Sequence, residues 1–481
     1  HHPPYQHSFL SILSQVFGGK VLVYPLDGSH WVNIKVLIEE LHTRCHNVTV
    51  LRASNSWYIK EESPFYTSIT VYNSGGIEKE LLDVGMFFGE MHRNQLDLMG
   101  KIFENKDLMA SLQTAKYDLV LTDPAFGGGG FLARRLGLPL VLNVRWTMHG
   151  EAHYEIAPSP LSYVPLPGVE LTDKMTFAQR VQNSFCNKYF GSEINYKTAL
   201  GDADIWLMRT DFTFEFPRPT MPNIVYMGGF QCKPAKLLPA DLEKFVQTSG
   251  DHGLIVMSLG TLFSHLPQDI TRNLLEIAVT FARLPQKIIW RHTGPRPVNI
   301  GNNTLLVDRL PQNDLLGHPQ TKVFITQGGT NGIQEAIYHG VPILGLPIVF
   351  DQPDNLSRMK VRGTAKLVDI AQLNRTMFLQ ALEEVLYNSS YKENMQRLSK
   401  LHHDQPMKPL DRAVFWIEFF MRNRGAPHLR TQSFRMSWIE YHSIDVILTL
   451  LMIVVLCCFM IHKIITFLCF KVVFKKKIKA E

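Results

Sequence analysis

His30 follows an apolar run at residues 20–26 that reads as a parallel strand, with residues 27–30 as a sharp loop and residues 31–42 as an amphipathic helix. In an open α/β sheet that position lies beyond the carboxyl end of a strand, where ligands bind. An imidazole there titrates near neutrality and can take the proton of an attacking hydroxyl. The plainer alternative is a histidine that merely caps the helix. Asp123 follows a second apolar strand at residues 117–122 and should emerge at the same edge. There its carboxylate can orient the imidazole and stabilise the imidazolium formed during attack. Asp123-Pro124, with glycines at 127–130, also reads as an ordinary turn.

A second constellation suits an anion. Residues 323–326 form a short apolar strand, and Gln327-Gly328-Gly329-Thr330-Asn331-Gly332 lets the backbone approach a ligand where the next helix begins. Gly340 stops that helix, Pro342 prevents its continuation, and residues 343–347 form the following strand, so the unit is a right-handed parallel βαβ. This is a cradle for a nucleotide diphosphate. Gly329, Asn331 and Gly332 would meet the pyrophosphate, with Thr326, Gln327, Ser258, Gly260 and Thr261 beside them, relieving charge on a departing diphosphate. Glu335 stands four residues after Asn331 on the same helical face, where a carboxylate can accept both ribose hydroxyl protons. A solvated helix glutamate would look the same.

The stretch VFITQGGTNGIQEAIYHGVP, the later DQPDN, and the segments LLPADLEKFVQTSG, HDQPMKPLDRAVFWIEFFMR and WIEYHSIDV together resemble the membrane-bound UDP-glucuronosyltransferases of animals. The resemblance implies two facing Rossmann-like domains of the GT-B glycosyltransferase fold, with His30 and Asp123 as the catalytic pair. It also implies an inverting transfer from a UDP-sugar to a small lipophilic hydroxylated acceptor. No metal or cofactor is implied beyond the donor, UDP-glucuronic acid first and UDP-glucose second. Asp351 and Gln352, after a strand ending at Phe350, would read the sugar, while Arg309 and Gln312 would lie at the nucleotide. Two positions depart from the family pattern: Arg309 stands where a tryptophan usually meets uracil, and Gln327 where a histidine usually lies beside the phosphates. An arginine plane can stack on a base and an amide can donate to phosphate. These departures are the only support for a noncatalytic UDP-sugar-binding partner of active homologues. A sugar carboxylate also wants a cation, and Arg218 is one candidate that could reach the cleft, a solvated loop arginine being the alternative.

The elements that must position these residues follow from composition. A chain of 481 residues exceeds one ordinary core. Residues 19–230 read as an acceptor domain, 231–240 as a proline-bearing linker, and 241–425 as the UDP-sugar domain, whose last helix, residues 411–423, returns to the first domain. The resemblance implies an acceptor pocket within the Met- and Phe-rich residues 80–115, and the aromatic and Met residues of 84–109, with Phe126 and residues 146–153, suggest that it is apolar. Residues 444–466 are long and apolar enough for a transmembrane helix, and residues 467–481 form a basic cytosolic tail. Net charge is +6, but Lys463, Lys471, Lys475, Lys476, Lys477 and Lys479 against Glu481 carry five of those charges, so the body has no nucleic-acid signature.

By resemblance, Lys477-Ile478-Lys479-Ala480-Glu481 fits a retrieval signal of the endoplasmic reticulum, with a type I topology and a lumenal body. The apolar run at residues 9–17 reads as part of a signal peptide. Asn47, Asn302, Asn374 and Asn388 head glycosylation sequons. The family also admits homo- and hetero-oligomers. Cys45, Cys186 and Cys232 are too few for a disulfide framework or a paired-cysteine zinc site and read as buried small hydrophobes. The two departures generate a test. If they merely weaken UDP contacts, the double variant Arg309→Trp, Gln327→His should tighten UDP binding by about tenfold, since a charge-assisted bond adds about 1 kcal/mol or more. Calorimetric titration with UDP reads this, and an unchanged affinity would show a site already adapted to both residues.

Overall fold

The computed structural model describes residues 18–73, 84–126, 128–145, 162–163, 171–180, 203–260, 268–432 and 436–478. The run at residues 9–17, residues 146–153, Cys186, Thr261 and the last three residues lie outside them. Two parallel sheets form the body. The first orders its strands β3-β2-β1-β4-β5-β6-β7, with β1 Lys20–Tyr24, β2 Asn47–Ala53, β3 Thr67–Val71, β4 Leu119–Thr122, β5 Leu140–Val144, β6 Ile205–Met208 and β7 Ile224–Tyr226. The second orders them β10-β9-β8-β11-β12-β13, with β8 Leu254–Ser258, β9 Lys287–Arg291, β10 Thr304–Val307, β11 Thr321–Thr326, β12 Ile343–Gly345 and β13 Ala365–Leu367. Each order reverses once, at β1/β4 and at β8/β11. Those reversals are the switch points at which a doubly wound sheet opens a crevice.

Strands covered on both faces must be apolar throughout, and LVLT, LVLNV and IWLM of β4, β5 and β6 are buried at every position. In β8 the alternation is sorted between faces: Leu254 and Val256 enter one core, Ile255 and Met257 the other. Helix α1, Ser29–Thr43, lays Ile34, Leu37, Ile38 and Leu41 on the first sheet, the apolar face of the amphipathic helix read at residues 31–42. Helix α2, Thr330–His339, ends at Gly340 with φ 68°, a left-handed cap that suits glycine. Helix α3 is Gln352–Val361. Residues 231–239 join the sheets without helix or strand.

Helix α4, Pro409–Asn423, follows the second domain in sequence yet packs on the first sheet's core. Ala413, Val414, Ile417 and Phe420 are fully buried among Ile34, Leu37, Leu41 and Val21, and Arg44 reaches Asp411 at 2.8 Å. The apolar stripe on α4 thus covers the surface expected of it. Separately, residues 430–481 form their own unit. Its helix Ile444–Ile478 contains an apolar stretch, Ile444–Phe470, long enough to cross a membrane and four residues longer than the expected span.

Two expectations are corrected. The strand before Asp351 ends at Gly345, and a five-residue turn follows in which Phe350 holds φ 63°. Cys45 is exposed at φ 65° in the turn after α1, and Cys232 is half-buried. Cys45 is exposed because the chain reverses there, with its N–H bonded to His42 O. The packing of α4 yields a prediction. Phe420→Ala should cost about 3–5 kcal/mol in the full chain, the usual loss for a fully buried aromatic. Denaturant unfolding measures it, and a loss under about 1 kcal/mol would mean that α4 is only loosely seated.

Candidate active site

Neighbouring strands of the first sheet deliver four polar residues to one edge. His30 enters from the start of α1, just past β1, Asp123 directly follows β4, Arg145 follows β5 and Arg209 follows β6. His30 Nδ1 lies 2.6 Å from Asp123 Oδ2. Gly28, not His30, occupies the N-cap of α1, and no side chain caps that helix. The other oxygen of Asp123, Oδ1, accepts the Ala125 N–H at 3.0 Å, so the carboxylate is fixed by its own turn. Arg209 Nη2 stands 3.7 Å from Asp123 Oδ2 and 3.5 Å from His30 Nδ1, and Nη1 donates to Asn33 Oδ1 at 2.9 Å. Asp123, Arg209 and Asn33 are all buried.

Burial lowers the His30 pKa from its ordinary value, outweighing the opposing pull of Asp123. Burial alone would raise Asp123, but the His30 ring, its hydrogen bond and Arg209 prevail and hold the carboxyl below the usual range. Burial brings Arg209 down to about 10, still charged at neutral pH. The pair therefore rests as a neutral imidazole beside a carboxylate. Because an ionised carboxylate only accepts, Nδ1 carries the ring hydrogen and Nε2 is the proton-accepting nitrogen.

The second sheet contributes the loops after β8, β11 and β12. Ser258 ends β8, and its Oγ lies 3.5 Å from the Gly260 N–H. Gly260 has φ 86°, and a Cβ there would strike the Gln327 amide, so Gly260 and Gln327 form one close-packed wall. Arg291 Nη1 bonds the Gly260 carbonyl. Thr326 Oγ1 donates to Gln327 Oε1 at 3.1 Å. Gly329 caps α2 with its backbone, and the first-turn N–H groups, which include Asn331 and Gly332, have no acceptor within the helix and carry its positive end. Gln312 Nε2 donates to Glu335 Oε2 at 2.6 Å. Burial raises Glu335 to about 7. Arg309 is exposed two residues past β10. Gln352 Oε1 accepts the N–H groups of Ile348 and Val349 at 2.9 and 3.1 Å.

Asp351 joins the two edges. Its Oδ2 receives Arg145 Nη2 at 2.6 Å and Nε at 3.3 Å, Asn355 Nδ2 at 2.7 Å and Thr330 Oγ1 at 3.2 Å. Burial would raise this carboxyl too, but Arg145 and its hydrogen bonds hold it low. The structure thus brings together His30 with Asp123, Gln312 with Glu335, and Ser258, Gly260, Thr326 and Gln327 around one wall. Arg218 proves not to be solvated: it is buried with Nη2 3.4 Å from Glu215 Oε2, and Arg358 Nε approaches the same oxygen at 3.2 Å. Arg145 and Arg209 were missed by the sequence reading. The signal was the one that found Asp123, a polar residue directly after an apolar strand.

Two doubly wound parallel sheets, meeting through Arg145 and Asp351, define the GT-B glycosyltransferase architecture. The chain matches the family described as "UDP-glucoronosyl and UDP-glucosyl transferase" over residues 19–97 and 90–480. It is 42% identical to UDP-glucuronosyltransferase 2A1 of Rattus norvegicus across 94% of this chain and 96% of that one. It is 43% identical to UDP-glucuronosyltransferase 2A3 of Homo sapiens across 97% and 95%. Among solved structures, it resembles Phytolacca americana UGT2 complexed with UDP-2fluoro-glucose and pterostilbene, with TM-score 0.59, 17% identity and coverage of 84% and 99%. A UDP-glucosyltransferase from Polygonum tinctorium capable of glucosylating indoxyl gives TM-score 0.63, 15% identity and coverage of 84% and 99%. The chain belongs to the UDP-glycosyltransferase family, enzymes that transfer sugar from UDP-sugars to acceptors.

Glu335 supplies a test independent of activity. Its native pKa, about 7, exceeds the unfolded glutamate value of about 4.3, so between those values the native state binds more protons and stability falls as pH rises. Glu335→Gln should abolish this decline. Unfolding midpoints of the ligand-free chain between pH 4.5 and 7.5 measure it, and parallel wild-type and variant profiles would contradict a buried, reluctant carboxylate.

Proposed function

We propose that this protein transfers glucuronic acid from UDP-glucuronic acid to a hydroxyl of a small lipophilic acceptor, inverting the anomeric centre to give a β-glycoside. The observation that carries the reading is the 2.6 Å contact of His30 with Asp123 at the same sheet edge whose Arg145 reaches Asp351. His30 Nε2 takes the acceptor's hydroxyl proton while that oxygen bonds to the anomeric carbon. The bond from that carbon to the β-phosphate oxygen breaks, and its electron pair leaves with UDP. Asp123 stabilises the imidazolium as it forms, and the buried Arg209 keeps Asp123 ionised. Gly329, Asn331 and Gly332 receive the diphosphate at the positive end of α2, and Glu335 receives the ribose hydroxyls. Asp351 and Gln352 take the sugar hydroxyls, Gln352 through Nε2, because its oxygen is held by the turn that places it.

The acceptor's place is supported by a cavity of about 330 Å³ beside the loop before His30, lined by Pro25, Leu26, Asp27, Leu51, Trp57 and Leu98 among others. Polar side chains such as Asn55, Asn73 and Gln95 share its wall with the apolar ones, a mixture that suits a hydroxylated lipophile. We also place the body in the lumen of the endoplasmic reticulum, with Ile444–Phe470 as a single type I anchor and the lysine-rich end in the cytosol. The names of the relatives favour glucuronic acid; UDP-glucose is the competing donor. A noncatalytic binding partner has no need of a buried His–Asp pair held by an arginine.

His30→Ala should lower transfer of labelled sugar to a simple phenol by about 10²- to 10⁴-fold, the range for a general base, with UDP affinity nearly unchanged. In the wild type the acid limb of kcat/KM should lie below the ordinary histidine value, because burial lowers His30. Asp123 opposes that shift, so Asp123→Asn should slow turnover by orders of magnitude and move the limb still lower. An unshifted limb and near-normal rate in Asp123→Asn would reduce Asp123 to a turn residue.

A further inference from the structure

We propose that Arg145 reads the donor sugar's carboxylate, and so gives this enzyme its preference for a uronic acid over a neutral hexose. The inference rests on the donor reading above. A glucuronosyl group placed against Asp351 brings two carboxylates together, and like charges at close range repel strongly where water is scarce. A cation between them is required. Gln352 and Asn355 cannot supply it: they are neutral, Gln352 Oε1 is held by two turn N–H groups, and Asn355 Nδ2 already serves Gly328 O and Asp351. Arg209 is committed to Asn33 and Asp123, and Arg218 and Arg358 to Glu215. Arg145 alone of these four meets Asp351.

Its geometry leaves room for a second anion. Nε and Nη2 both address one oxygen, Oδ2, rather than spanning the carboxylate as a two-oxygen fork. Among the described residues no hydrogen bond to Nη1 is made. The guanidinium can therefore keep Asp351 neutralised through one side and present Nη1 to a sugar carboxylate on the other, an arrangement that a planar five-donor group allows and an ammonium does not. The transferred sugar must also lie between Asp351 and His30. Arg145 follows β5, in the same sheet whose edge carries His30 after β1, and its guanidinium reaches Asp351 at 2.6 Å, so its charge is within reach of that sugar.

The experiment compares UDP-glucuronic acid and UDP-glucose with one phenol acceptor, using the full-length membrane-bound chain and the variants Arg145→Gln and Arg145→Lys. The ratio of the two kcat/KM values is independent of how much of each preparation is folded. Arg145→Gln should lower kcat/KM for both donors, because Asp351 loses its cation, but about 10- to 100-fold further for UDP-glucuronic acid than for UDP-glucose, as loss of a charge-assisted bond to the sugar carboxylate predicts. Arg145→Lys should fall between, keeping the charge without the fork. An equal fall with both donors, leaving the ratio unchanged, would make Arg145 a strut for Asp351 and overturn the inference while the donor reading stands. A wild type that transfers glucose and ignores UDP-glucuronic acid would remove the donor reading itself, and the inference with it.

Discussion

Every strand of each sheet runs in the same direction, so each sheet has a single edge at which all its strands end. That constraint assembles the chemistry. Residues 30, 123, 145 and 209 are scattered over 180 positions of sequence, yet the neighbours β1, β4, β5 and β6 bring them to one rim. The same rule in the second sheet collects Ser258 at the end of β8 with Gln327 and Asp351 after β11 and β12. Strand interiors are apolar because helices cover both faces, and polar side chains are thereby confined to the ends of strands, where the crevice opens.

The charges at this rim are balanced against each other rather than against water. Arg209 with Asp123 and Arg145 with Asp351 form two opposite pairs, and His30 stays neutral between them. Buried ions are costly to desolvate, and this network adds little to stability by itself. What it does is hold a carboxylate ionised and an imidazole unprotonated in the same small volume, the state a base requires before it acts. The cost is met by the apolar cores on both sides, where α4 contributes four fully buried side chains to a domain it does not follow in sequence.

Local pattern revealed much of this. The strand, turn and helix around His30, the glycine loop before α2, Gly340 as its stop and the apolar stripe of α4 all express short-range rules, and the structure keeps them with shifts of a few residues. Asp123 was legible because a charged residue directly after an apolar run marks the point where a buried strand comes out from between its covering helices. Arg145 and Arg209 obey the same rule, directly after β5 and β6, but neither adjoins a turn signal like the Asp123-Pro124 pair and glycines that mark the end of β4. The partner of Arg218 was invisible for a different reason. Its ion pair with Glu215 looks local at three residues' separation, whereas the arginine that shares Glu215 comes from α3, 143 positions away, a distance no spacing rule spans. The turn at Phe350 was misread because its apolar residues continue the strand pattern past the point where pairing ends.

The return of α4 has a mechanical side. The chain passes from the first sheet to the second through residues 231–239 and comes back to the first sheet's core with α4, so two crossings join the sheets. Just past α4, Ala426 is buried in that same core. Because Ala426 shares a core with Val21, Leu37 and Phe420, the stretch that follows α4 is tied to the sheet that carries His30 and Asp123, and unseating α4 would loosen that tie together with the core.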